Sequence, residues 1–94
     1  MAPYDAAMAL IGELLVEPFV PGDPGPHVLA AWGAAEGAGA TLQVGPFGTL
    51  VQASTDGDVL NALDAAVRAA IVAGATRVST QVLQEELPPG APRA

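Results

Sequence analysis

The sequence contains no cysteine and only one histidine, His27. Without cysteine, the chain can form no disulfide, no thiolate zinc site and no cysteine nucleophile. A single histidine also excludes a histidine-rich metal site within one chain. Its position at the start of a predicted helix gives no support for a Ser-His-Asp triad. We therefore expect a protein that is not an enzyme and that uses no cofactor in the catalytic sense.

Basic residues are also scarce. Three arginines and no lysine stand against ten acidic residues, which gives a net charge of −7. Nucleic-acid affinity depends largely on basic side chains that neutralise phosphates, and anionic membrane surfaces attract basic segments. The sequence therefore predicts no nucleic-acid partner and no membrane partner. The acidic excess aids solubility, and it would also attract a cationic ligand.

Long hydrophobic runs and a basic leader are missing as well. No apolar run approaches the ~18 residues of a membrane span, and the N-terminus lacks the basic region of a signal peptide. We therefore expect a cytoplasmic protein. The 94 residues, 51% of them hydrophobic, predict one domain over residues 1–87. Residues 1–7 are expected to be a loose leader, and the proline-rich residues 88–94 a disordered tail.

Six segments have the pattern of a strand or of a helix. Strands are predicted at 8–20, 41–44, 49–54 and 77–83, and helices at 26–36 and 59–73. The order βαββαβ is that of the split βαβ, ferredoxin-like fold. This α+β fold has a four-stranded antiparallel sheet with two helices on one face. The predicted buried stripes of the two helices are Val28, Leu29, Trp32 and Ala35, and Val59, Leu60, Leu63, Val67, Ala70 and Ile71.

A tight turn is predicted at the centre of the chain. Gly45, Pro46, Phe47, Gly48 and Thr49 separate two short apolar segments. Proline presets φ and lacks an N–H, and glycine permits positive φ, so the segment favours a connection between adjacent strands. Its backbone N–H groups could also lie near a ligand, although a plain turn explains the composition equally well.

The first strand predicts an uncovered face of the sheet. Strand alternation puts Glu13, Leu15 and Glu17 on one face. Two carboxylates on a central strand are costly to bury, so this face should be open to solvent, to a ligand or to another subunit. The two carboxylates are roughly 13 Å apart along a strand, too far for a glycosidase pair. The same face is expected to carry Gln43, Gln52, Ser54, Ser79 and Gln81, with Leu50 among them.

Three segments resemble the small thiamine-binding proteins of bacteria and archaea. The Gly45–Thr49 segment is similar to the "GPMGT" turn of that family. Gly12–Pro18 is similar to its first strand, which carries a glutamate, and Ala73–Val78 is similar to the "GAKRV" before its last strand. The spacing agrees from about Gly12 to Leu83. Two segments depart from the family pattern. Where the family commonly has an acidic residue after the third strand, this chain has Gln52-Ala53-Ser54. Where the family's last strand ends in basic residues, this chain has Glu85-Glu86.

The resemblance implies a ferredoxin-like fold, assembly into homodimers or homotetramers, and binding of thiamine or its hydroxymethylpyrimidine moiety without chemistry. Glu13 corresponds to the glutamate of the family's first strand, and Gly45, Pro46, Gly48 and Thr49 correspond to its turn. On chemical grounds, either glutamate can pair with a cationic aminopyrimidine ligand. Phe19, Phe47 or Trp32 can stack on its ring, although Trp32 is expected rather in the core. The expected ligand-binding set is Glu13, Glu17, Phe19, Gly45, Pro46, Phe47, Gly48, Thr49, Gln52 and Ser54.

Other functions are compatible with the same fold. A regulatory or purely oligomerising module that senses another small molecule, such as an amino acid, is the main alternative. An enzyme of the dimeric α+β barrel type is disfavoured because no acid–base pair is evident. An RNA-binding sheet would need aromatic and basic residues that the sequence does not supply.

Overall fold

A computed structural model describes residues 8–87 of the chain. The elements are β1 (Met8–Glu17), α1 (Pro26–Gly37), β2 (Thr41–Gly45), β3 (Gly48–Gln52), α2 (Asp56–Val72) and β4 (Arg77–Glu86). The predicted order βαββαβ is therefore confirmed. The leader predicted at residues 1–7 and the tail predicted at 88–94 lie outside the described residues.

The four strands form one sheet in the order β2-β3-β1-β4, and every neighbouring pair is antiparallel. Strand β1 is central and pairs with β4 along its full length. Both helices pack against the same face and against each other, and their buried residues join one hydrophobic core. This arrangement is a ferredoxin-like α+β fold. It leaves the opposite face of the sheet, the open face, without a helix layer.

The core lies between the sheet and the helices. Leu14 and Val16 alternate with the half-buried Glu13, Leu15 and Glu17 along β1, so the period-two pattern separates the buried face from the less buried one, as strand geometry requires. The largest fully buried side chains are Leu14, Val28, Val51 and Val59. Burying each of them is worth about 1.5–3 kcal/mol.

The predicted helix stripes are partly wrong. Leu29, Leu60 and Ile71 are 53%, 50% and 60% exposed, although hydrophobic periodicity put them in the core. The predicted Val28, Ala35, Val59, Leu63 and Ala70 are buried. The buried positions that the stripes missed are all alanines: Ala31 on α1, and Ala62 and Ala66 on α2. The two helices contact each other as well as the sheet, and alanine allows this close approach. The larger Leu29, Leu60 and Ile71 lie outside this contact and are partly exposed to solvent.

Several boundaries also differ from the predicted ones. Strand β1 ends at Glu17, three residues earlier than predicted, because Pro18 has no N–H to continue the ladder. Strand β4 continues to Glu86, three residues further than predicted. Helix α2 begins at Asp56 because the Thr55 hydroxyl accepts a hydrogen bond of 3.1 Å from the Asp58 N–H. Among residues 8–87, neither helix has both the length and the apolar character needed to cross a membrane.

Candidate functional site

One corner of the open face contains a cleft of about 380 Å³. This volume is within the range of roughly 300–1,000 Å³ found for small-molecule sites. All four strands and the turn between β2 and β3 contribute its lining, β2 through Gly45. The lining residues are Glu13, Leu14, Leu15, Gly45, Pro46, Phe47, Gly48, Thr49, Leu50, Ser79 and Gln81.

Two glycines explain why the open face has a depression at this corner. Gly45 and Gly48 are direct partners in the β2–β3 ladder, and neither adds a side chain to the open face. Gly48 has φ +150°, a region that L side chains rarely adopt. A Cβ at Gly48 would also lie 3.1 Å from the carbonyl oxygen of Leu14. The turn geometry and the floor of the cleft therefore both depend on glycine at position 48.

The polar wall of the cleft comes from adjacent strands. Glu13 of β1 lies opposite Gln81 of β4 and opposite Leu50 of β3. Directly opposite residues of an antiparallel pair project from the same face with Cβ atoms about 4.5–5.5 Å apart. Leu15 and Ser79 form the next such pair on this face. A carboxylate, an amide and a hydroxyl thus lie beside two leucines.

The described residues that line the cleft include one carboxylate, that of Glu13, and no basic side chain. Glu13 therefore gives the described lining a formal charge of −1, which suits a cationic or amino-substituted ligand. Phe47, at the tip of the turn, is 91% exposed and borders the same cleft. An aromatic face next to a carboxylate can stack on a heteroaromatic ring or contact a cation.

The structure brings only part of the predicted site together. The cleft includes six of its members: Glu13, Gly45, Pro46, Phe47, Gly48 and Thr49. Glu17, Phe19, Gln52 and Ser54 are not among its lining residues.

Each of these four residues has a different environment. The Glu17 carboxylate is 3.8 Å from Arg77 Nε at the end of β1. Phe19 packs against the core. Gln52 ends β3 opposite Thr41, and Ser54 is exposed beyond that strand.

Four open-face residues line the cleft without having been in the predicted set: Leu15, Leu50, Ser79 and Gln81. Their strand alternation was a usable signal, since it assigned all four to the open face. What the sequence did not provide was the strand register: the β1–β4 pairing puts Gln81 opposite Glu13, and the β1–β3 pairing puts Leu50, not Gln52, opposite Glu13. Within residues 8–87, no group of three His, Asp or Glu residues could hold a metal ion.

Comparison with known proteins supports the fold. No protein-family model and no curated protein sequence matches the chain. Among solved structures, the chain is similar to that of a domain of unknown function, DUF77, from Bacillus cereus. The TM-score is 0.62 at 19% sequence identity, and the alignment covers 99% of this chain and 88% of that chain. At this identity the similarity is evidence for the shared fold alone.

Proposed function

We propose that this protein binds thiamine or a related pyrimidine, such as hydroxymethylpyrimidine, in the cleft of its open face, without catalysing a reaction. One observation carries the proposal. The Glu13 segment and the Gly45–Thr49 turn, the two segments that resemble the ligand-binding parts of the thiamine-binding family, are far apart in sequence but line one cleft. A chance similarity of two short motifs would not require them to meet.

The chemistry of the cleft suits such a ligand. Thiamine combines a cationic thiazolium ring with a 4-aminopyrimidine. The Glu13 carboxylate can accept a hydrogen bond from the exocyclic amine or offset the thiazolium charge. The Gln81 amide can donate to a ring nitrogen and also accept from an amine, and the Ser79 hydroxyl can do either. Leu15 and Leu50 offer apolar surface for the faces of the rings.

A homo-oligomer is part of the proposal. Strand β4 pairs with β1 over ten residues, and no strand among the described residues pairs with its other edge. Val82 and Leu83 on this strand are 47% and 38% exposed. Such an edge readily pairs with another chain. Since β4 also supplies Ser79 and Gln81, a second copy at this edge would enclose the site further. We place the assembled protein in the cytoplasm.

Isothermal titration calorimetry tests the binding proposal. The purified protein is titrated with thiamine, with hydroxymethylpyrimidine and with a panel of free amino acids. We expect thiamine to bind with a Kd in the micromolar range or tighter, which corresponds to about −8 kcal/mol or better. No heat with thiamine or hydroxymethylpyrimidine would contradict the proposal. A response to an amino acid alone would favour a regulatory module.

A further inference from the structure

A hydrogen bond connects the helix layer to the cleft. The indole Nε1 of Trp32, on α1, donates to Oγ1 of Thr49, on β3, at 3.0 Å. Thr49 is 5% exposed, and it directly follows Gly48 at the end of the turn. Within residues 8–87, the Thr49 side chain forms no other hydrogen bond. It therefore joins the core-facing side of the sheet to a residue that lines the site on the other side.

This contact can fix the position of the turn. Thr49 pairs with Leu14 of β1 and with Val44 of β2, so it lies where the turn joins the rest of the sheet. Gly48, which precedes Thr49, and Gly45, which pairs with Gly48, carry no side chain that could anchor the turn. An indole N–H can only donate, and leaving it or the buried hydroxyl unpaired would be costly. The Trp32–Thr49 hydrogen bond therefore favours the Thr49 side-chain orientation that pairs both groups.

The packing around the indole supports the same role. Trp32 shares a small recess with Phe19 and Val28 on the helix side of the sheet, and Gly48 and Thr49 border the same recess. Phe19 and Trp32 are both packed against the hydrophobic core. The indole is thus held by α1 and by the segment after β1, and a shift of its N–H would be transmitted to Thr49.

We propose that Trp32 is a positioning residue: through Thr49, it holds the Gly45–Gly48 turn in the geometry that forms the ligand cleft. The ligand-binding part of this inference rests on the proposed function. The effect on the turn itself does not, because it concerns the protein without ligand.

Three substitutions separate the hydrogen bond from the packing. Trp32→Phe removes the N–H but keeps an aromatic ring, Thr49→Val removes the hydroxyl but keeps the branched shape, and Thr49→Ser keeps the hydroxyl. Val59→Ala is the control, because Val59 is fully buried on α2 and its truncation lowers stability without removing a hydrogen bond. Amide hydrogen exchange of Gly48 and Thr49, which pair in the β2–β3 ladder, is measured by NMR without ligand, and thiamine affinity by calorimetry.

We expect Trp32→Phe and Thr49→Val each to accelerate exchange at the turn by about three- to tenfold, the effect of one net hydrogen bond. Amide exchange in the double variant should be no faster than in either single variant. Thr49→Ser should retain slow exchange, because it keeps the hydroxyl. Val59→Ala should not accelerate exchange at the turn selectively. Thiamine affinity should fall by a similar factor in the first two variants. Exchange at the wild-type rate in Trp32→Phe and Thr49→Val would overturn the inference. So would a double variant in which the two accelerations are fully additive. If the wild-type protein does not bind thiamine, the proposed function is refuted. The exchange rates, measured without ligand, then still decide whether Trp32 positions the turn.

Discussion

Glu13 lies directly opposite Gln81 in the β1–β4 ladder, and both residues line the cleft beside the Gly45–Thr49 turn. The pair comes from the central strand and an edge strand, so it is held by backbone pairing rather than by a loop. A carboxylate next to an amide offers acceptors and a donor within reach of one small ring. This juxtaposition is what turns an open sheet face into a candidate binding site.

Removal of the Glu13 charge should weaken ligand binding but not folding. In Glu13→Gln the side chain keeps its size but loses the carboxylate, so we expect the Kd for thiamine to rise by roughly tenfold or more, as for loss of a charge-assisted hydrogen bond. Glu17→Gln is the matched substitution on the same face, outside the cleft lining, and should change the Kd by less than about twofold. Equal affinities of the two variants in calorimetry would remove Glu13 from the site.

Gly48→Ala should destabilise the protein. The substitution forces a side chain into φ +150° and puts its Cβ 3.1 Å from the Leu14 carbonyl oxygen. We expect a loss of about 1–3 kcal/mol in the free energy of unfolding, measured by urea denaturation. Gly45→Ala is the comparison, because Gly45 has no positive φ. It should cost less stability while its methyl group still occupies the corner of the cleft. Equal stability losses would contradict this assignment.

Gly33→Ala should stabilise the protein. Gly33 is in the middle of α1 and exposed, and nothing lies within 4 Å of an added Cβ. Alanine is favoured over glycine in a helix by roughly 0.5–1 kcal/mol, which should raise the Tm by about 2–8 °C for a domain of this size. Gly39→Ala is a control of opposite sign, since its Cβ also meets open space but its φ is +95°. A Tm unchanged or lowered in Gly33→Ala would show that the position has another constraint.

Gly12→Ala should disturb the packing of α2 on the sheet. A Cβ at Gly12 would lie 2.8 Å from Leu63 Cδ1, and Leu63 is 6% exposed in the core. We expect a cost of about 1–3 kcal/mol from overpacking, measured by urea denaturation. In a Leu63→Ala background the same substitution should cost much less, because the clash is gone. Additive effects of the two substitutions would mean that Leu63 is not the side chain that matters.

The fold could be predicted from the sequence because its strands and helices obey simple periods. Alternation along β1 separated Leu14 and Val16 from Glu13 and Glu17, and the structure separates them in the same way. The glycine and proline positions marked the connections. The helix stripes were less accurate because Ala31, Ala62 and Ala66 are buried for their small size, whereas periodicity favoured larger residues such as Leu60.

The candidate site was harder to predict because it depends on register. Alternation assigns Gln52, Ser54 and Gln81 to the same face, but only strand pairing shows that Gln81 lies beside Glu13. Phe19 follows a proline at the end of β1, where strand alternation no longer applies, and it packs against the core. The Trp32–Thr49 hydrogen bond joins residues 17 positions apart, one on α1 and one on β3, and no local pattern indicates it.

The most direct test of the account is an NMR titration of the isotopically labelled protein with thiamine. Amide chemical shifts report both whether the ligand binds and where. We predict progressive shifts for Glu13, Gly45, Gly48, Leu50 and Gln81. The outer face of α2 around Asp64 and Arg68 should change little. A spectrum that does not change up to millimolar thiamine, or shifts confined to residues outside the cleft, would contradict the claim that this open-face cleft is the binding site.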